Sequence, residues 1–361
     1  MGATDSNAGD DFHFWWTAGR ALELVSPGTE LELVTVEGLA VVDDPDEQYE
    51  TVDVAEYLGG RDVASADRIV LSQLKYSTRH AETAWTAARL CQKRVKKAEG
   101  KVDSERSVIA DLATVYTRLR DDHGDQALGK ARISLVSNCP GDPLLLQSVR
   151  AAAQWTAGQT APTRKTLKDA LPPDQAAVIG MLAEATTSRL KTAEFCRFLQ
   201  LLDLSTTGTM DRTALARAVK SGASVLTPGH GLDSANRLFD LVRQQALPGS
   251  TRGGVTTQDV LATLGVADLL DLYPAPSRLE PLQNPLPTVG AEAIAAAVTA
   301  NISRLTVAHG DAGVGKTTAM RQIGDHLPVG SQVVLFDCYG AGEYLSPGGN
   351  GIPPDGSSPR S

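Results

Sequence analysis

The chain has 361 residues, of which 42% are apolar, and a formal net charge of −9. That is long enough for two or three domains and too acidic overall for a wholly basic nucleic-acid binder. No long charge-free apolar run occurs, so neither a membrane span nor a secretory signal is expected, and the expected setting is cytoplasmic, without a membrane partner. Cys91, Cys139, Cys196 and Cys338 are scattered without a C-x-x-C pair, which fits a reducing compartment rather than a zinc site or a disulfide framework.

In chain order, the spacing of apolar residues predicts a helix over Phe12 to Val25, stopped by Ser26-Pro27-Gly28. Strands are predicted over Leu31 to Val42, Glu50 to Tyr57 and Arg68 to Tyr76, the last with the strong β-formers Ile69-Val70-Leu71. Amphipathic helices follow over Ala81 to Ala98 and Glu105 to Leu119, then a strand over Arg132 to Ser137 closed by Asn138-Cys139-Pro140-Gly141. The order α-β-β-β-α-β thus fills residues 1–150. Residues 151–273 read as a helical connector, 274–289 with five prolines as a linker, 290–345 as a further α/β segment, and 346–361 as a disordered tail.

Charge is unevenly spread. Residues 1–60 carry fourteen acids and one base, Arg20, whereas residues 61–101 carry ten bases against four acids. On the predicted helix, Arg89, Lys93, Arg94, Lys96 and Lys97 form a basic run suited to gripping a phosphate backbone without reading sequence; a solvated helix face is the plainer alternative.

Residues Gly310-Asp311-Ala312-Gly313-Val314-Gly315-Lys316-Thr317 spell a complete phosphate-binding loop. It sits between a predicted strand, Ser303 to Ala308, and a predicted helix, Thr317 to His326. Gly310, Gly313 and Gly315 let backbone N–H groups curl toward a phosphate. Lys316 reaches the β/γ-phosphates of ATP, Thr317 places a hydroxyl on Mg²⁺, and Thr318 follows at the helix start. Ser331 to Asp337 reads as the next parallel strand, with Asp337 at its end and no later strand to carry a magnesium-holding acid. The expectation is therefore the truncated start of a P-loop domain, which binds ATP but does not turn it over.

A second constellation lies in the strand meander. A turn centred near residue 63 puts Asp53 across from Gln73, with Lys75 two positions on and on the same face. A turn centred near residue 45 puts Glu37 opposite Asp53. Glu37, Asp53 and the Gln73 carbonyl then offer hard oxygens for Mg²⁺, and Lys75 can orient a hydroxide nucleophile. Asp43 and Asp44 are rival metal acids. His13 is placed near the site but in a capping or packing role, and Trp15, Trp16, Trp85 and Trp155 are assigned to packing.

Asp53 with Gln73-Leu74-Lys75 resembles the PD-(D/E)xK restriction-endonuclease-like superfamily, whose core is α-β-β-β-α-β, with glutamine standing where glutamate is commoner. The strings Gly9-Asp10-Asp11-Phe12-His13, Val36-Glu37-Gly38, Val52-Asp53-Val54-Ala55-Glu56-Tyr57 and Gln73 to Arg79 are similar to nuclease domains fused to STAND (NACHT-like) NTPases of bacterial antiviral defence. The loop at 310–317 and Asp337-Cys338-Tyr339-Gly340 resemble the start of such an NTPase. The resemblance implies a metal-dependent DNA endonuclease with Asp53, Glu37, Gln73 and Lys75 as its site. It further implies double-stranded DNA cut without sequence preference, Mg²⁺ and ATP as cofactors, and a homo-oligomer in a longer form. The alternative is an ATP-binding switch whose first domain does not cut.

Overall fold

The computed structural model describes residues 3–98, 101–227, 230–247, 253–272, 285–300, 305–311, 313–331 and 333. The first helix, α1 (Ala3–Glu23), buries Ala8, Phe12, Ala18 and Ala21, a helical spacing that lays one face on the sheet. It starts well before the predicted Phe12. The chain then turns at Gly28, whose φ of 72° suits glycine.

Strands β1 (Leu31–Val36), β2 (Val54–Leu58) and β3 (Arg68–Lys75) form an antiparallel meander. The first is shorter than predicted because Glu37 and Gly38 leave the strand conformation, with φ of 57° and 112°. The second begins at Val54 rather than at Glu50.

The predicted helix over Ala81 to Ala98 is not found. Its place is taken by α2 (Ala87–Cys91) and a hairpin of β4 (Arg94–Ala98) and β5 (Lys101–Arg106), which form a two-stranded sheet of their own. The reason is in the sequence: three and four residues beyond buried Leu90 come Lys93 and Arg94, so a continuing helix would have no apolar stripe to bury. Of the basic run, Arg89 therefore lies on the short α2, Lys93 on the link after it, and Arg94, Lys96 and Lys97 on a ribbon instead of one continuous helix.

Helix α3 (Val108–Lys130) starts at Ser107, whose side chain accepts a hydrogen bond from the Ala110 N–H. It runs past the predicted Leu119, with a kink at Gly124, and leads into β6 (Ala131–Ser137), parallel to β3. The α-β-β-β-α-β order is thus present, with the short helix and ribbon inserted after β3.

The middle region is largely helical: α4 (Pro143–Ala157), α5 (Arg164–Ala170), α6 (Pro173–Ala185), α7 (Thr192–Leu201), α8 (Arg212–Leu226), α9 (Gly231–Gln245), α10 (Thr257–Leu264) and α11 (Leu269–Leu272). Residue 150, where a domain boundary was expected, lies inside α4. Two short strands from this region, β7 (Leu202–Asp203) and β8 (Val255–Thr256), complete a mixed sheet in the order β7-β6-β3-β2-β1-β8. One core joins Ala55, Tyr57, Ile69 and Leu71 on the sheet to α3, α4, α6 and α7. The other joins Val34, Val54 and Leu74 on the opposite face to α1, α8, α9 and α10. The middle helices therefore cover the sheet rather than merely follow it.

Toward the C-terminus, α12 (Val289–Thr299) packs on α13 (Lys316–Gln322) and a 3₁₀ turn over Ile323–His326, close to the predicted helix. Gln322 ties the two, accepting from the Thr288 N–H at 3.0 Å and donating to Leu286 O at 2.9 Å. Residues 305–308 carry no strand, contrary to expectation; Ser303 and Arg304 lie outside the described residues. Among the described residues no strand pairs with 305–308, so a ladder to hold a strand there is missing. Most of the strand predicted over Ser331 to Asp337 and all of the tail over 346–361 also lie outside them.

Candidate metal centre

The meander has the expected register. Val36 pairs with Val54, which brings Glu37 beside Asp53, and the Glu37 N–H donates to Asp53 O at 2.9 Å. Val54 pairs with Ser72, which brings Asp53 beside Gln73, and the Asp53 N–H donates to Ser72 O at 2.9 Å. Because β2 begins only at Val54, the Leu74 N–H donates to Oδ2 of the Asp53 side chain rather than to a carbonyl of that strand. Lys75 Nζ lies 3.8 Å from the same oxygen, with both side chains mostly shielded from solvent.

A third group arrives from α1. His13, Glu37 and Asp53 each present one ligand atom, and these atoms lie within 4.8 Å of one another, a set that can hold a metal ion. The reading of His13 as a cap fails because α1 begins ten residues earlier, which puts His13 mid-helix. Its place is fixed by the neighbouring Phe12, fully buried and stacked on Tyr76 at 5.0 Å between ring centroids. Asp11, beside it, is engaged elsewhere, accepting from Arg212 at 2.8 Å and tying α1 to α8. A signal for His13 existed: Asp10 and His13 lie three apart and so share one helix face.

The electrostatics match a site short of positive charge. Burial, then the carboxylates of Asp53 and Asp10, raise Glu37 to about 7, against a smaller opposing effect of Lys75. Glu37 is nevertheless in contact with solvent, so a cation can reach it. Burial lowers His13, outweighing the nearby Asp53, so its imidazole is neutral at pH 7 and keeps a lone pair for a ligand. Glu37 also holds a left-handed φ that costs a side-chain-bearing residue energy, as found where function sets the conformation. Gln73 is 4% exposed and its Oε1 has no hydrogen-bond partner. A buried carbonyl left unpaired beside two carboxylates is a natural further oxygen donor.

The rivals are accounted for structurally. Both carboxylate oxygens of Asp43 accept from the Val63 N–H at 3.0 Å. Asp44 accepts from the N–H groups of Gln48, at 2.7 Å, and Tyr49, at 3.1 Å. They organise the loop between Glu37 and Asp53 and do not join the ligand cluster. Trp85 is 2% exposed and carries the Arg89 guanidinium 4.1 Å above its ring, a packing role as expected.

In the loop over residues 310–317, Gly313 and Gly315 adopt φ of 81° and 83°, and Gly315 caps α13. Lys316 Nζ folds back on the loop, donating to Gly310 O at 2.7 Å and Asp311 O at 2.6 Å. Thr317 is exposed and Thr318 half-buried.

Cys91, Cys139 and Cys196 form no disulfide, and Cys338 lies outside the described residues. Among the described residues no helix is long and apolar enough to cross a membrane. No protein-family model matches the chain, and no curated protein gives a significant match.

Proposed function

We propose that the N-terminal α/β region is a metal-dependent endonuclease of the PD-(D/E)xK type acting on double-stranded DNA. The observation that carries the proposal is the approach of Lys75 Nζ to Asp53 inside the cluster of His13, Glu37 and Asp53. Two carboxylates and a nearby carbonyl fit a divalent cation, and an ammonium at the edge of such a set has a use in phosphodiester hydrolysis. Structural ion pairs do not need a third and fourth polar group crowded around them.

A bound divalent cation supplies positive charge for the scissile phosphate and lowers the pKa of a water. The protein's own groups do the rest. Asp53 and Glu37 are held in register by the backbone hydrogen bonds that join β1 to β2 and β2 to β3. Lys75 orients the attacking water and offsets charge on the phosphate oxygens as the water oxygen bonds to phosphorus and the P–O bond to the sugar breaks. Gln73 lends a neutral oxygen where a glutamate would add a charge.

The loop at 310–317 supports a second part of the reading, an ATP-binding segment of the STAND type. Gly313 and Gly315 have the left-handed backbone that curls N–H groups toward a phosphate, and Lys316 lies over the loop where it can transfer from carbonyl oxygens to phosphate oxygens. Together the two parts suit a nuclease governed by nucleotide binding, as in antiviral defence.

The test is plasmid cleavage by the purified chain with divalent cation, against EDTA and against Lys75→Ala. Cutting that disappears in both controls supports the reading. Cutting retained by Lys75→Ala would sink the assigned site, and no cutting by a chain that binds the cation would favour a non-cutting module. Lys316→Ala should abolish ATP binding and leave cation binding unchanged.

A further inference from the structure

The oxygen donors of the site suggest Mg²⁺, but the third ligand is a nitrogen. We propose that His13 is a direct metal ligand and that the site selects a first-row transition-metal dication over Mg²⁺. This rests on the reading of Glu37 and Asp53 as metal acids, though not on any cutting of DNA.

Three observations point the same way. First, the nearest ligand atom of His13 lies within 4.8 Å of those of both Glu37 and Asp53, a spacing at which three donors can share one ion. Second, a further donor is left over beside the set: Gln73, next to Asp53 in the β2–β3 register, is 4% exposed and its Oε1 has no hydrogen-bond partner among the described residues. Third, the helix carrying His13 is tied down on both sides of it. Phe12 stacks on Tyr76, just beyond β3, and Arg20 Nε donates to Glu56 Oε2 on β2 at 2.9 Å. The backbone that presents His13 is thereby fixed beside the sheet.

The choice of ion follows from the donors. Mg²⁺ takes oxygen ligands in near-ideal octahedral geometry and gives up its waters reluctantly. Imidazole suits zinc, iron, nickel and copper, and mixed nitrogen and oxygen sets are shared with manganese and cobalt. Gln73 in place of an acid removes one of the negative charges that a hard ion needs most. A nitrogen ligand in exchange for a carboxylate shifts preference along the transition series.

The bland reading of His13 is a packing residue that happens to border two carboxylates. Electron spin-echo spectroscopy on the full chain loaded with Mn²⁺ separates the two, since it detects nitrogen-14 bonded directly to the metal. Titration calorimetry with Mn²⁺ and with Mg²⁺ supplies the affinities, on wild type, His13→Gln and Asp53→Asn. The expected result is a directly bonded nitrogen in wild type that vanishes in His13→Gln, with Mn²⁺ affinity falling about tenfold or more and Mg²⁺ affinity changing much less. Asp53→Asn should weaken both ions.

Mn²⁺ bound without a nitrogen signal overturns the proposal while leaving the carboxylate site standing. Equal losses of Mn²⁺ and Mg²⁺ in His13→Gln overturn it too, provided circular dichroism shows the variant folded. If that variant fails to fold, the nitrogen signal in wild type alone decides. No binding of either ion overturns both this inference and the nuclease reading. Binding with a nitrogen ligand but no DNA cleavage upholds this inference and removes the nuclease.

Discussion

Replacing Glu37 with glycine should stabilise the metal-free protein at neutral pH, the reverse of what most substitutions do. The position is unkind to glutamate: its φ is 57°, and burial with the Asp53 and Asp10 carboxylates raises its carboxyl to about 7 from 4.5. A left-handed backbone costs a residue with a Cβ about 1 kcal/mol. Solvent reaches the carboxylate, so screening leaves the charge penalty on the order of 1 kcal/mol. Glycine returns about 0.5–1 kcal/mol through the freedom it adds to the unfolded chain. The net is about 1 kcal/mol in favour of Glu37→Gly above neutral pH. The pH dependence has a definite sign. The folded pKa is raised, so the stability Glu37 contributes is full below about 4.5 and lost as pH rises through about 7. The variant's advantage should therefore be near zero below that window and reach its maximum above it. Urea unfolding in EDTA at both ends of the window measures this. Adding a divalent cation should reverse the order, since only the wild type gains from binding. A loss of stability of more than about 1 kcal/mol at both pH values would refute the reasoning and make Glu37 a structural residue.

Two further predictions concern the scaffold and the proposed binding of DNA. Arg20 donates from Nε to Glu56 Oε2 at 2.9 Å, and the Glu56 side chain is only 6% exposed, so Arg20→Met should cost about 3–5 kcal/mol by urea unfolding. Adding Glu56→Met should recover most of that loss; a single-variant cost well below it would show that Glu56 finds another partner or water. Replacing Arg94, Lys96 and Lys97 on β4 together with glutamine should weaken duplex DNA binding without altering cation affinity. In fluorescence anisotropy over a salt series the slope of log affinity against log salt should shrink by up to about 3, and an unchanged slope would remove the ribbon from the DNA interface.

The sheet register was legible because two quantities fix it, the alternation of side chains and the turn centres near residues 45 and 63. Once Val36 meets Val54 and Val54 meets Ser72, the meeting of Glu37, Asp53 and Gln73 follows from geometry alone. His13 was set near the site but not read as a ligand, because the opening residues Ala3 to Asp11 are mostly small and polar and do not read as helix. The apolar residues there are few and widely spaced, Ala8 and Phe12 being the large or buried ones from residue 8 to 12, too few to set a period. The ribbon was misread for a related reason: lysine and arginine are good helix formers, so propensity spoke for a helix where no apolar stripe supported one. Strands of two residues, such as β7 and β8, carry no readable pattern at all, and they are what joins the middle region to the sheet.

That last point bears on where the site resides. The carboxylates belong to the first 60 residues and Lys75 follows closely, so a domain of 150 residues looks sufficient on the sequence. Yet His13 is carried by α1, and α1 is held from outside that span: Asp11 pairs with Arg212 on α8, and Trp15 packs against Phe239 on α9 with ring centroids 4.5 Å apart. Lys220 on α8 lies over the same indole at 5.4 Å. On the far side, β8 pairs with β1 at Leu33 and Val34, three residues before Glu37. The middle helices thus bear on two of the three ligand-bearing segments, α1 and the end of β1. Any movement of α8 and α9 would displace His13 relative to Asp53, which is anchored to β3, and would change cation affinity before any DNA is bound. If the loop at 310–317 binds a nucleotide as proposed, the segment that carries it follows those helices in the chain and could act on the site through them.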